Sequence, residues 1–167
     1  MLNPTQHART NYRALSPYLA AVNRCGGHFR FTADGYMPLS IEALYTDDSG
    51  LPVYSMMHFT TQNGDLMRDP DMTFRVDESA GTVEPLTFQN DFMGMYQEVY
   101  VDDGKRYHPR LRTELDRFLW QWLKNISEQG YSPNEAPSPD GPHENPPFPS
   151  ASVEEPNAFP QCSFPDI

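Results

Sequence analysis

The chain has 167 residues and a formal net charge of −11, which gives room for one ordinary domain and little more. It lacks the basic stripe with which nucleic-acid binders displace counterions from phosphates, so we expect no direct binding to nucleic acid. No apolar run approaches the roughly 20 residues of a membrane-spanning helix, and the acidic surplus also argues against an anionic membrane as partner.

The first residues and the cysteines indicate a cytoplasmic protein. Residues 1–12 contain no apolar stretch of the kind found in secretory signals. Cys25 and Cys162 are far apart in sequence and form no CxxC motif, so two free thiols in a reducing compartment are expected. The acidity is compatible with simple solubility or with binding to a basic protein surface.

A first helix is predicted within residues 11–24. Its apolar residues recur at helical spacing, at Leu15, Tyr18, Leu19 and Val22. Gly26 and Gly27 provide the stop. Because proline has no N–H, Ser16 and Pro17 are interpreted as the N-cap and first residue of a shorter helix, over residues 17–24.

Six segments then alternate apolar and polar residues, as half-buried strands do. They lie near residues 29–33, 37–45, 53–59, 72–76, 83–88 and 95–101. Asp34-Gly35 and Asn63-Gly64 are hairpin-turn dipeptides, and Asp69-Pro70 is interpreted as a further turn. Short connections between successive strands predict an antiparallel meander of five or six strands.

A second helix is predicted from His108-Pro109 to Gly130. One apolar stripe runs along it, formed by Leu111, Leu115, Phe118, Leu119, Trp122 and Ile126. Trp120 points away from this stripe and is assigned either to packing against the first helix or to a partner surface.

These elements predict an α+β fold in which an N-terminal and a C-terminal helix pack on the meander. Residues 1–131 form the single domain. Residues 132–167 contain ten prolines, six acidic residues and no Lys or Arg, so a disordered acidic tail is predicted there. Phe148, Phe159, Phe164 and Ile167 are its isolated apolar points, and they suit a short linear binding motif.

The densest polar cluster supplies the candidate metal ligands His58, Asp65, Asp69 and Asp71. A His–Asp acid/base pair is a second interpretation of the same residues. Their spacing matches neither HExxH nor an EF-hand. Turn chemistry at Asn63-Gly64 and Asp69-Pro70 explains the cluster without any site and is the favoured interpretation. No cofactor is predicted, and a divalent metal is the alternative.

Glu98 completes the set of candidate catalytic residues, which are His58, Asp65 and Glu98. On period-two counting, Glu98 shares one strand face with Tyr96 and Tyr100. His58 shares a face with Tyr54 and Met56. If these are the same face of the sheet, His58 and Glu98 converge; otherwise they are polar residues placed without a common role.

Four stretches resemble a family of small bacterial and phage domains of unknown function found on plasmids and conjugative elements. They are GYMPLSIE, HFTTQNGDLMRDPDMTF, QNDFMGMYQEV and LRTELDRFLWQWLKN, and NGDLMRDP is the most specific piece. The resemblance spans about residues 10–130. It implies a shared fold and a cytoplasmic protein but no activity, and it draws attention to Asn63, Gly64, Asp65, Asp69, Pro70, Gln97 and Glu98.

Two functions are therefore expected. The first is an uncharacterised accessory protein of a mobile genetic element that is not an enzyme and acts by binding another protein; an anti-defence inhibitor is one form of it. The second is a metal-assisted hydrolase that uses His58, Asp65 and Asp69. It requires these side chains to meet at one point.

Overall fold

The structure is a computed structural model, and it describes residues 5–135. The fold is α+β, as predicted, with two long helices, a six-stranded antiparallel sheet and a separate two-stranded sheet. In chain order the elements are α1 (Ala8–Arg24), β1 (His28–Phe31), β2 (Leu39–Thr46), β3 (Pro52–Gln62), β4 (Asp65–Asp77), β5 (Thr82–Asn90), β6 (Met95–Glu98), β7 (Tyr100–Val101), β8 (Arg106–Tyr107), α2 (Pro109–Gln129) and a 3-10 turn (Pro133–Glu135).

The large sheet is a meander whose spatial order, β1 to β6, is the chain order. Each strand is antiparallel to its neighbour. Asn63 and Gly64 join β3 to β4 with φ angles of 54° and 90°. Both angles lie in the left-handed region that Asn and Gly tolerate best, so the predicted two-residue turn is confirmed.

The two faces of this sheet have different surroundings. One face, called the covered face, carries the fully buried side chains Phe31, Ile41, Met56 and Phe74, and the buried residues of α1 and α2 belong to the same core. The other, called the open face, is marked by a row of directly paired residues across five strands: Glu42, Ser55, Thr73, Thr87 and Glu98. Burial of apolar surface between the helices and the covered face holds the two layers together.

Helix α1 is longer than predicted, because it continues through Pro17 to begin at Ala8. The shorter helix over residues 17–24 is therefore wrong. Proline deprives the carbonyl of Arg13 of its usual i+4 donor. The hydroxyl of Ser16 donates to that carbonyl at 3.3 Å, and the exposed location of the pair leaves it open to water as well.

Strand β4 also differs from the prediction, since Asp69-Pro70 lies inside it and is not a turn. The peptide bond between these residues is cis. Met57 pairs with Asp71 and Phe59 with Arg68, so two residues of β4 oppose one of β3. A bulge of this kind is one of the places where a strand accommodates proline, because the local ladder is interrupted there.

Helix α2 begins at Pro109 and ends before Gly130, whose φ of 88° is the left-handed stop that was predicted. Trp120 stacks on His7, the residue before α1, with ring centroids 5.2 Å apart. This contact is the predicted packing against the first helix. Within residues 5–135, neither helix combines the length and apolarity needed to cross a bilayer.

Residues just past the predicted boundary at residue 131 contact the rest of the fold. The main-chain N–H of Thr32, just after β1, donates to the Glu135 carboxylate at 3.0 Å. Tyr131 is buried, and its main-chain carbonyl accepts a hydrogen bond from the Tyr18 hydroxyl at 2.8 Å. Glu135 thus contacts the predicted domain from beyond its predicted end. The rest of the predicted tail, residues 136–167, lies outside the described residues.

Candidate functional site

His58 lies on the covered face of the sheet, not on a solvated polar face. It pairs across β2 with Leu39, which is fully buried, and only 7% of His58 is exposed. Its ring lies between Trp122 of α2 and Tyr131, at centroid distances of 5.5 and 5.6 Å. The face of β3 that carries Tyr54, Met56 and His58 therefore packs against the helices.

The surroundings of His58 favour the neutral form of its imidazole. Burial lowers its pKa, and the carbonyls of Met37 and Pro38 and the charge of Asp69 offset only part of that shift. The Nδ1 atom lies 3.2 Å from the carbonyl oxygen of Pro38. Because a carbonyl only accepts hydrogen bonds, this contact favours the proton on Nδ1 and leaves Nε2 as an acceptor.

The three candidate aspartates do not gather around His58. Asp65 is exposed at the start of β4. Asp69 is near His58, but its carboxylate accepts a hydrogen bond from Asn90 at 2.8 Å. Asp71 lies on the open face, where the Ser55 hydroxyl donates to it at 2.9 Å.

The predicted catalytic and metal sites are therefore not assembled. Among residues 5–135, no three or more His, Cys, Asp or Glu side chains are grouped so that they can hold a metal ion. Glu98 pairs through Thr87 and Thr73 with Ser55, which places it on the open face, opposite His58. Its carboxylate accepts a hydrogen bond from the Tyr96 hydroxyl at 2.6 Å. The convergence of His58 with Glu98 is not found.

A polar network that the sequence analysis missed is centred on Arg75. Its guanidinium contacts Glu84 at 2.6 Å, Asp47 at 3.3 Å and the Tyr100 hydroxyl at 2.9 Å. Arg112 of α2 pairs with the same Glu84 at 2.6 Å. Burial, then Glu84, raises the pKa of Tyr100 to about 12. The only sequence signal was the position of Arg75 between the apolar Phe74 and Val76, which indicates a polar strand face.

This network is structural in character. It links β4, β5, β7, the turn after β2 and the first turns of α2 through paired charges. Each of its carboxylates is already paired with a guanidinium, so it offers no unpaired general base. We assign to this network the role of holding the β7–β8 hairpin and α2 in place.

A recess lies between α2 and the edge strand β6. Its volume is about 640 Å³. Its apolar floor comes from α2 and β5 and is formed by Phe88, Leu111, Leu115, Phe118 and Trp120. Gln97, Glu114, Arg117 and Gln121 complete its lining. Phe118, which the apolar stripe assigned to the core, is 38% exposed in this groove.

Strand β6 borders this groove and presents main-chain groups outward. The N–H of Val99 donates inward to Leu86 at 2.8 Å. Hydrogen bonding alternates along an antiparallel pair, so Gln97 and Met95 bond to β5 while the main-chain groups of Tyr96 and Glu98 face away from it. Among residues 5–135, no strand pairs with that outer edge.

Residues 10–132 match the family model of a domain of unknown function, DUF6908. The chain belongs to this family. Membership confirms the expected relationship to an uncharacterised domain and assigns no activity or site residue. No match was found among curated proteins or among solved structures.

Proposed function

We propose that this DUF6908 domain is a non-catalytic protein-binding module that accepts an extended segment of a partner protein along β6. The observation that carries the proposal is the outward-facing main chain of Tyr96 and Glu98 beside an apolar groove. An extended peptide gains affinity at such an edge from main-chain hydrogen bonds.

The groove supplies the side-chain selectivity that strand addition needs. Gln97 pairs with the buried Phe88, so its side chain lies on the covered face, toward α2. A strand added outside β6 would direct every second side chain to the same side, over Leu111 and Phe118. Exposed apolar surface of this kind, rimmed by polar residues, is typical of interaction sites.

Charge favours a basic partner segment. The chain carries a net charge of −11. Glu98 lies on β6, while the groove lining itself contains one acid, Glu114, which Arg110 pairs at 2.9 Å, and one base, Arg117. Opposite charge on the partner would accelerate encounter and suppress acidic competitors. The proposed occupant is therefore an extended segment that combines alternating apolar residues with Lys or Arg.

The biological setting is part of the same proposal. The resemblance to domains found on plasmids, conjugative elements and phages supports an accessory role in a mobile genetic element, acting in the cytoplasm; inhibition of a host defence protein is one form of this role. The genes that flank several family members test this setting. Neighbours without transfer, replication or phage genes would contradict it and leave the binding mode untouched.

The binding mode is tested with the full chain as bait for a display library of random 12-residue peptides. We expect enriched peptides to alternate apolar residues and to carry Lys or Arg. Tyr96→Pro removes one outward N–H and is expected to weaken the selected peptides at least about tenfold, since several main-chain bonds act together.

Two controls make this result specific. Tyr36→Ala changes a similarly exposed tyrosine in the loop after β1, outside the groove lining, and should leave affinity unchanged. Phe118→Ala should weaken binding by removing the groove contact. Peptides whose affinity responds to neither Tyr96→Pro nor Phe118→Ala would contradict binding at β6.

A further inference from the structure

A second recess lies on the other side of Phe118 and is lined by aromatic rings. It has a volume of about 270 Å³ and is bordered by the loop after β1, the bulged part of β4, α2 and Tyr131. His58 lies between Trp122 and Tyr131, and the Tyr36 ring is 6.4 Å from that of Tyr131. Tilted rings at these distances offer both faces and edges to a flat guest.

The polar groups of this cavity are neutral. No Asp, Glu, Lys or Arg lines it. Gln121, Asn125 and Gln129 follow one another at intervals of four along α2, and Gln121 donates to Asn125 at 2.9 Å. His58 lines the cavity, and the contact of its Nδ1 with the carbonyl of Pro38 leaves Nε2 as the acceptor of the neutral ring.

We propose that this cavity binds a neutral, planar heteroaromatic molecule with an N–H group, donated to Nε2 of His58. The aromatic walls favour a flat ring, and the uncharged lining disfavours an ion that would lose its hydration without a partner. The volume lies just below the range of about 300–1,000 Å³ for small-molecule sites, so one bicyclic ring is the expected size.

The proposal is independent of strand addition at β6. The two recesses share only Phe118 and Gln121, and the ring-stacking residues of the cavity do not border β6. Tyr96→Pro is therefore expected to leave binding in the cavity unchanged. A variant that loses peptide binding at β6 but keeps binding in the cavity, or the reverse, separates the two proposals.

The test is an NMR titration of the full chain with indole and with 1-methylindole, which has the same ring but no N–H donor. Indole is expected to bind saturably and to shift the Nε2 resonance of His58. The methylated ring should bind at least about tenfold more weakly, because its contact leaves Nε2 unpaired. Failure of indole to bind, or equal affinity for the two rings, would overturn the proposal.

Variants at exposed positions locate the bound ring without disturbing the core. Tyr36 is 52% exposed, so Tyr36→Ala should leave the fold intact and weaken indole binding several-fold. Tyr45→Ala, at 59% exposed and on β2, is the matched control and should not change it. Tetramethylammonium is the competing probe, since aromatic walls also suit cations. Tighter binding of that ion than of indole would replace the heteroaromatic assignment.

Discussion

The rest of the chain contacts the two edges of the sheet differently. Both edge strands, β1 and β6, are four residues long. At β1, the segment 131–135 returns to the sheet, where Glu135 accepts from Thr32 and Tyr131 packs on His58. At β6, no described strand pairs with the outward groups of Tyr96 and Glu98.

The difference shows where the fold is complete and where it can still take a partner. An unpaired edge is a template for another chain unless something covers it or its charges deter pairing. The chain caps the end of the β1 edge, at Thr32, with its own residue Glu135 and leaves the β6 edge beside an apolar groove. The predictions below test this contrast, from the largest expected effect to the smallest.

Tyr131→Ala should reduce the free energy of unfolding by about 3–5 kcal/mol, the cost typical of deleting a buried aromatic ring. Tyr131 is 4% exposed and contacts His58, and its hydroxyl donates to the Met37 carbonyl. The measurement is denaturant unfolding. Tyr96→Ala at the open edge, where 58% of the residue is exposed, should stay within about 0.5 kcal/mol. Similar losses of unfolding free energy in Tyr131→Ala and Tyr96→Ala would contradict the proposed difference between the two edges.

Neighbouring residues of α2 should differ in the same way. Leu119 is fully buried, so Leu119→Ala should reduce the free energy of unfolding by about 2–5 kcal/mol. Phe118 is 38% exposed in the groove, with an edge contact to Phe88 and a tilted contact to Trp122, and Phe118→Ala should reduce it by less than Leu119→Ala does, by about 1–3 kcal/mol. A loss for Phe118→Ala as large as that for Leu119→Ala would show that the groove is part of the core.

Stability should fall as the pH is lowered below about 6.5, the ordinary pKa of histidine. Burial lowers the pKa of folded His58 and also that of His28, so the unfolded chain takes up these protons first. The unfolded state then binds more protons than the folded state, and stability is lost until the pH passes the folded pKa values. NMR titration of the two imidazoles checks this, and a His58 midpoint at or above 6.5 would contradict its burial beside Tyr131.

Glu135→Ala should have the smallest effect, at about 1 kcal/mol or less, because it removes hydrogen bonds at an exposed position. Its sharper consequence is local. The Thr32 amide should exchange with solvent faster in this variant while the Phe31 amide does not change. Unaltered exchange at Thr32 would mean that residue 135 does not close this edge.

Much of the fold was predictable because local chemistry determines it. The Asn63-Gly64 turn and the ends of α2 at Pro109 and Gly130 depend on φ preferences that the residues themselves carry. Pro17 was misjudged because a neighbouring hydroxyl, from Ser16, contacts the carbonyl that proline leaves unpaired. Such a replacement depends on side-chain geometry and not on residue spacing.

The site was predicted less well because it depends on which sheet face the helices cover. In β3, Val53, Met57 and Phe59 alternate with Tyr54, Met56 and His58, so both faces contain apolar residues. Period two gives the alternation but not the direction of the core. The Arg75 network and the outward groups of β6 likewise follow from strand register, which long-range pairing determines.

Amide hydrogen exchange along β6 in the full, unliganded chain tests the central claim most directly. Bonding toward β5 should protect the amides of Met95, Gln97 and Val99, whereas those of Tyr96 and Glu98 should exchange quickly because they face outward. Equal protection of all five amides would show that the β6 edge is already occupied, and strand addition by a partner would have no place to begin.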